Sequence, residues 1–272
     1  MAQPHLPQRR LGRAALRTGG IVAGLVAAAL ASIAPCAGLI IEPPQDYVRR
    51  PIYTVLRTSQ SVTVDGVLDE PIWSRLAPIT FVIHDGAGPA PMATEAKLCW
   101  DDTYLYVAFS CADQDLTSRI TRRDDFVCRD DAVEIFLNPS RDLVNYYEFE
   151  VNPGGVVWDG KDYNPSLIPD DATVYDERWN AEGLLVSARF VGTLNDPTDV
   201  DEGWTVEMAI PFAAVCGRPP RAGESWRANL YRIDPGNPAQ YYAWSPTQSA
   251  GQIPAFHVSP RFGRLVFSTR PG

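Results

Sequence analysis

From about residue 52 onward the hydrophobic positions recur with period two, the spacing that puts alternate side chains on opposite faces of a strand. Leu105, Val107, Phe109 and Cys111 share one face, with Tyr104, Tyr106, Ala108 and Ser110 on the other. Val133, Ile135 and Leu137 alternate against Ala132, Glu134 and Phe136. Tyr147, Phe149 and Val151 alternate against Tyr146, Glu148, Glu150 and Asn152. The same holds for Trp204, Val206, Met208 and Ile210 against Thr205, Glu207 and Ala209. In a fifth segment, Trp226, Ala228 and Leu230 alternate against Arg227, Asn229 and Tyr231. Turn residues interrupt these runs at the intervals of an antiparallel sandwich. Helical spacing is confined to Glu70–Ala77 and Phe212–Cys216. The pattern predicts an all-β protein, a single antiparallel β-sandwich of jelly-roll type over residues 53–270. No internal repeat and no long linker interrupt it, so no length remains for a separate catalytic barrel.

The first 36 residues follow another logic. Arg9, Arg10, Arg13 and Arg17 precede the apolar stretch Ile21–Ile33, and Ala29-Leu30-Ala31 offers a small-residue cleavage site. That stretch is too short to span a bilayer and has the length of a signal-peptide core. Cys36 leaves lipid attachment open, so residues 1–36 are expected to be a signal peptide or a lipoprotein signal. Residues 37–52, with Pro43, Pro44 and Pro51, read as an extended linker. The protein is thus expected in the periplasm, outside the cell, or anchored at the envelope through Cys36, with no transmembrane span in its mature part and as a monomer.

Charge narrows the partners. The 33 acids exceed the 24 bases, and no basic stripe is present, which argues against nucleic acid. Export permits disulfides. Of Cys99, Cys111, Cys128 and Cys216, a Cys111–Cys128 bridge is the preferred pairing, with free buried thiols as the alternative.

Several segments, in order, resemble the family 9 carbohydrate-binding modules and the wider group of sandwich domains that bind sugar or haem. They are Val64–Trp73, Cys99–Val107, Asp130–Phe136, Gly203–Phe212, Ala243–Pro246 and Arg261–Gly263. The resemblance implies a sandwich with a sugar site on one sheet face and, in some members, calcium. It also implies a sugar ring held between two aromatic platforms. Phe256 stands where one platform is expected, and Cys128 occupies the place of the other. Glu134 and Asn152 match polar positions of the family's site, while Glu150 stands where members carry arginine, which implies a different bonding pattern.

The residues themselves allow the same chemistry. Glu134, Glu148, Glu150, Asn152, Arg227, Asn229 and Tyr231 lie opposite the apolar faces. Together they supply the mixed donors and acceptors that sugar hydroxyls require. A solvated outer sheet face would show the same alternation. Trp73, Trp100, Trp204 and Trp226 are expected in the core, whereas Phe256, Phe126 and Trp158 lie in turn-rich surroundings suited to stacking on a sugar. Trp244 is left between the two groups and joins the candidate set of Phe256, Glu134, Asn152, Glu150, Arg227 and Asn229. No cofactor is required by this reading. A structural calcium on the acid-rich turns at Asp65/Asp69, Asp101/Asp102, Asp113/Asp115, Asp124/Asp125, Asp130/Asp131 or Asp159/Asp162 is left open.

Catalysis is not expected. The chain has no GxSxG, HExxH or Walker pattern, and a Glu134 pair with Glu207 or Glu150 would lie on a flat sheet face without the apolar setting that raises an acid's pKa. Haem ligation by Met92, Met208, His84 or His257 is a lesser alternative. A protein-interaction module on the same fold, without sugar affinity, is another. The reading preferred is an exported, non-catalytic protein that captures a poly- or oligosaccharide on one sheet face.

Overall fold

Residues 50–167, 173–247 and 254–271 are described by a computed structural model, and all belong to one compact unit, Val48–Gly272. The expected export signal and nearly all of the expected linker lie outside the described residues. Alternation becomes strand almost wherever it was read. The first half of the chain holds β1 (Ile52–Arg57), β2 (Ile79–Thr80), β3 (Val82–Ile83), β4 (Thr94–Trp100), β5 (Tyr104–Ala112), β6 (Ala132–Asn138) and β7 (Asn145–Val151). There follow β8 (Val157–Tyr163), β9 (Val174–Asp176), β10 (Leu185–Val191), β11 (Gly203–Pro211), β12 (Ser225–Asp234), β13 (Gln240–Ala243) and β14 (Gly263–Pro271). The two expected helices are present but short, α1 at Pro71–Arg75 and α2 at Phe212–Val215.

The main hydrogen-bonded path runs β10-β11-β5-β4-β1-β14-β12-β6-β7-β8-β9 and curls on itself. All pairings are antiparallel except those of β1, which runs parallel to β14 and to β4 and so joins the two halves of the sandwich. That parallel strand was not expected. The halves meet through the apolar faces read from the sequence. Trp100 of β4 lies 5.7 Å from Phe267 of β14, and Phe212 lies 5.8 Å from Trp226 of β12, both edge to face. Trp73, Trp100, Trp204 and Trp226 are all buried, as expected. At the rim, Gly203 (φ +144°) abuts Cys111, whose carbonyl oxygen would lie 2.1 Å from an added Cβ. Only glycine fits there.

One ionic clamp crosses the interior. Arg232 of β12 is fully buried and donates to Thr94 Oγ1 (2.9 Å), the Ala112 carbonyl (2.8 Å) and Asp113 Oδ2 (2.8 Å), tying β12 to β4 and β5. Asp131 lies in the same field. Burial, then the Asp113 charge, raises its carboxyl to about 9, even though it accepts the Thr117 N–H.

Each half also carries a second apolar layer on its outer face. Behind β4, β5 and β11, Ile72 and Trp73 of α1 pack with Leu76, Cys99, Tyr106 and Ala108. Behind β6, β7 and β12, Phe136, Tyr146 and Tyr231 pack with Val127, Phe256 and Phe262. The strand faces read as either a polar binding patch or a solvated outer face are therefore covered.

The cysteines correct one expectation. Cys111 points into the main core from β5, and Cys128 is exposed in a 3-10 turn, Val127–Arg129, on the outer face. They form no bridge, and the four described cysteines are free.

Candidate functional site

Register decides what the alternating polar residues do. In adjacent strands β12, β6, β7 and β8, Tyr231 stands opposite Glu134, Glu134 opposite Glu150, and Glu150 opposite Trp158. The next row sets Asn229 against Phe136, Phe136 against Glu148, and Glu148 against Gly160. Asp162 faces Tyr146 one step further along. Directly opposed side chains lie about 5 Å apart at Cβ, so this one face gathers four carboxyls.

The covering layer then shuts them off from water. Glu134 is 2% exposed, Glu148 3%, Glu150 7% and Asp162 0%. This corrects the expectation that glutamates on this flat sheet face lack an apolar setting that raises their pKa, since the segment 254–262 and the turn at 127–129 roof the strands. His257 enters from that segment. Its Nδ1 is 3.0 Å from the Tyr146 hydroxyl, and its Nε2 is 4.0 Å from Glu148 Oε2. Tyr146 is held by Phe136, stacked at 5.9 Å, and by the edge of Phe262.

The electrostatics follow from crowding. Burial, then repulsion by Glu150, holds the Glu134 carboxyl well above the usual range. Burial, then Asp162, does the same for Glu148. Burial raises Asp162 to about 7 and Glu150 to about 7; for Glu150 a hydrogen bond with Glu148 and the Cys128 backbone N–H pull the other way. Apart from the carboxyl-to-carboxyl hydrogen bonds that Glu148 shares with Glu150 and Asp162, Asp162 Oδ1 and Oδ2 and Glu150 Oε2 meet no donor among the described residues. Such buried acceptors are costly unless a donor or cation meets them.

Beside the acids is an aromatic surface. Trp158 lies flat over Gly160, where an added Cβ would come within 2.5 Å of the indole. The ring remains partly exposed next to Glu150. At the neighbouring turn Phe126 is 55% exposed, with the Arg129 guanidinium 4.5 Å over its ring.

Of the seven residues expected at the site, Glu134 and Glu150 come together and the side chains of the other five are engaged elsewhere. Phe256 is buried rather than open: it stacks on Tyr231 at 4.1 Å and 8°, and its carbonyl accepts the Tyr231 hydroxyl. Asn152 is spent on the Ile120 carbonyl, Asp130 and the Val156 N–H. Asn229 bonds both the carbonyl and the N–H of Ser245. Arg227 donates to the Phe262 carbonyl, and Trp244 belongs to the main core. Asp162 was read only as a turn acid and His257 only as a haem candidate, and Tyr146 was not singled out. Period two assigns Asp162 and Tyr146 to faces, but only register and the return of segment 254–262 bring them together.

Other expectations separate here. Met208 is buried in the main core, Met92 packs beside it, and His257 stands among acids in a different cluster. His84 is held through its backbone N–H to Tyr241. The haem candidates are thus scattered. The turn acids are engaged by backbone donors: Asp65 by Val67, Asp101 by Thr103 and Tyr104, Asp113 by Asp115, Asp130 by Ile120, Asp159 by Ala181. Glu207, the other half of one considered acid pair, accepts from Trp73 Nε1 and from the Asp65 and Gly66 amides on the opposite half of the sandwich.

A family model, carbohydrate family 9 binding domain-like, matches residues 64–268. The chain belongs to this family. An extracellular protein of Arthroderma benhamiae is 25% identical over 219 residues, 76% of this chain and 93% of that protein. Exoglucanase XynX of Acetivibrio thermocellus is 31% identical over 152 residues, 56% of this chain but only 12% of that enzyme. Among solved structures, a family 9 module of Caldicellulosiruptor kristjanssonii in complex with cellotriose superposes with a TM-score of 0.56. It is 17% identical, over 81% of this chain and 95% of that one, a likeness of fold.

Proposed function

We propose that this chain is an exported, non-catalytic carbohydrate-binding module that captures a β-glucan or xylan oligosaccharide on the outer face of β6, β7 and β8. The observation that carries this reading is the partly exposed Trp158 ring on β8, with the exposed Phe126 ring at the neighbouring turn. An aromatic face stacks on the C–H side of a pyranose. Trp158 thereby takes over the platform role expected of Phe256 and absent at Cys128. The cellotriose bound by a family 9 module of the same fold, and the exoglucanase among the relatives, favour this ligand class. The extracellular relative, together with the basic and apolar start of the chain, favours export.

Catalysis fits poorly. Glu134 and Glu150 are directly opposed on one sheet face, whereas a glycosidase pair flanks the scissile bond. Glu207 is committed elsewhere.

Calorimetric titration with cello-, xylo- and manno-oligosaccharides tests the reading. We expect saturable binding without sugar release, weakened by about 1–2 kcal/mol in Trp158→Ala. No binding by the folded protein, or full affinity in that variant, rejects it.

A further inference from the structure

Three side chains on this face are more than sugar recognition calls for. Glu148 comes from β7, Asp162 from β8 and His257 from the segment before β14, yet their ligand atoms all lie within 4.8 Å of one another. Asp162 is fully buried and aimed into this group, and apart from the carboxyl-to-carboxyl contact with Glu148 neither of its oxygens has a partner among the described residues. Among the described residues no lysine or arginine makes an ion pair with Glu148 or Asp162; the ion-pair contact of Glu148 is His257. The inner clamp shows the contrast, since there Asp113 meets a guanidinium at 2.8 Å.

The histidine is arranged to ligate. Its Nδ1 lies 3.0 Å from the hydroxyl of Tyr146, itself wedged between Phe136 and Phe262. When Nδ1–H donates to that oxygen, the lone pair of Nε2 is turned toward Glu148. Ligating imidazoles usually have this outer hydrogen bond, which fixes tautomer and ring plane. Two carboxylates and one imidazole make a mixed oxygen–nitrogen set with room for further ligands. Imidazole favours first-row metals such as zinc over calcium or magnesium, which prefer all-oxygen shells.

We propose that Glu148, Asp162 and His257 bind one divalent first-row metal ion, zinc being the best match, on the outer face of β7 and β8. The ion neutralises the two acids and pins segment 254–262 to the sheet through His257. The site is distinct from any calcium on the turns and does not depend on the sugar reading.

The test uses the purified chain, stripped by chelator and titrated without sugar against zinc, manganese and calcium chlorides. Zinc should bind one ion per chain, tighter than calcium. The affinity should fall at least tenfold in Asp162→Asn and in His257→Gln, and less steeply in Tyr146→Phe. Cobalt is the second probe: the visible bands of the bound ion should change in His257→Gln, a readout that a merely structural histidine would not move. Circular dichroism establishes that each variant is folded. Absence of zinc binding, binding undiminished in both ligand variants, or tighter binding of calcium than of zinc overturns the proposal.

Discussion

Two clusters of buried ionisable groups sit on opposite sides of the same sheet, and they solve the same problem differently. Inside the sandwich, Arg232 meets Asp113, Thr94 and the Ala112 carbonyl, so a cation faces the buried acid within the chain, even though Arg232 Nε and Asp131 Oδ1 lack hydrogen-bond partners. On the outer face, Glu134, Glu148, Glu150 and Asp162 crowd together, among the described residues with His257 as the one basic group in an ion-pair contact with them, and several oxygens meet no donor other than a neighbouring carboxyl. The first arrangement supplies its own counter-ion and ties the two halves together. The second has no lysine or arginine paired with Glu148 or Asp162 among the described residues. Burial alone therefore does not separate a structural polar cluster from a binding one; compensation does.

That contrast can be broken experimentally. Removing the interior cation should have the largest effect. Arg232→Met leaves Asp113 buried without its partner and is expected to cost about 3–5 kcal/mol in urea unfolding. A loss below about 1 kcal/mol would mean that the clamp does not balance the interior.

Asp131 comes next, through pH. Its folded-state carboxyl is raised to about 9 from an ordinary value near 4, so the folded chain keeps a proton that the unfolded chain has released. Its contribution to stability is complete below about pH 4 and is lost as pH rises toward 9. Asp131→Asn should flatten the fall between pH 5 and 8, by up to about 1.4 kcal/mol per pH unit. Equal slopes in the two proteins would show that Asp131 ionises freely in the fold.

The smallest effect has the opposite sign from the first. With chelator present at pH 8, Glu148→Gln removes one of the crowded acids and should stabilise the chain by up to about 1 kcal/mol. Destabilisation there would show that the outer acids are compensated after all, and the two clusters would no longer differ.

Much of the fold was legible beforehand because period two is a local property. The apolar faces of β5, β6, β7, β11 and β12 were assigned correctly, and Trp73, Trp100, Trp204 and Trp226 lie where the pattern sends them. The parallel strand β1 was not legible, since six alternating residues carry no direction of pairing. Nor was the burial of the outer face. Alternation reports which residues share a side, not whether a loop from 100 residues away covers it. Phe256 illustrates the limit: its turn-rich neighbourhood suggested exposure, and the fold lays it flat on Tyr231.

The candidate site divides in the same way. Glu134 and Glu150 were found because strand periodicity puts them on the polar side. Asn152, Asn229 and Arg227 share that side, but nearby backbone groups claim their side chains. Asp162, Tyr146 and His257 join the acids only through cross-strand register and chain return.

What the sequence determined by itself was the class of fold, the two faces of each strand and the family, because all three are written in local spacing and in the order of short segments. The tertiary structure alone decided which polar residues meet, which are already satisfied and which remain without a partner. Those outcomes depend on contacts between strands far apart in the chain, and a carboxyl's charge answers to its neighbours in space, whatever their distance along the sequence.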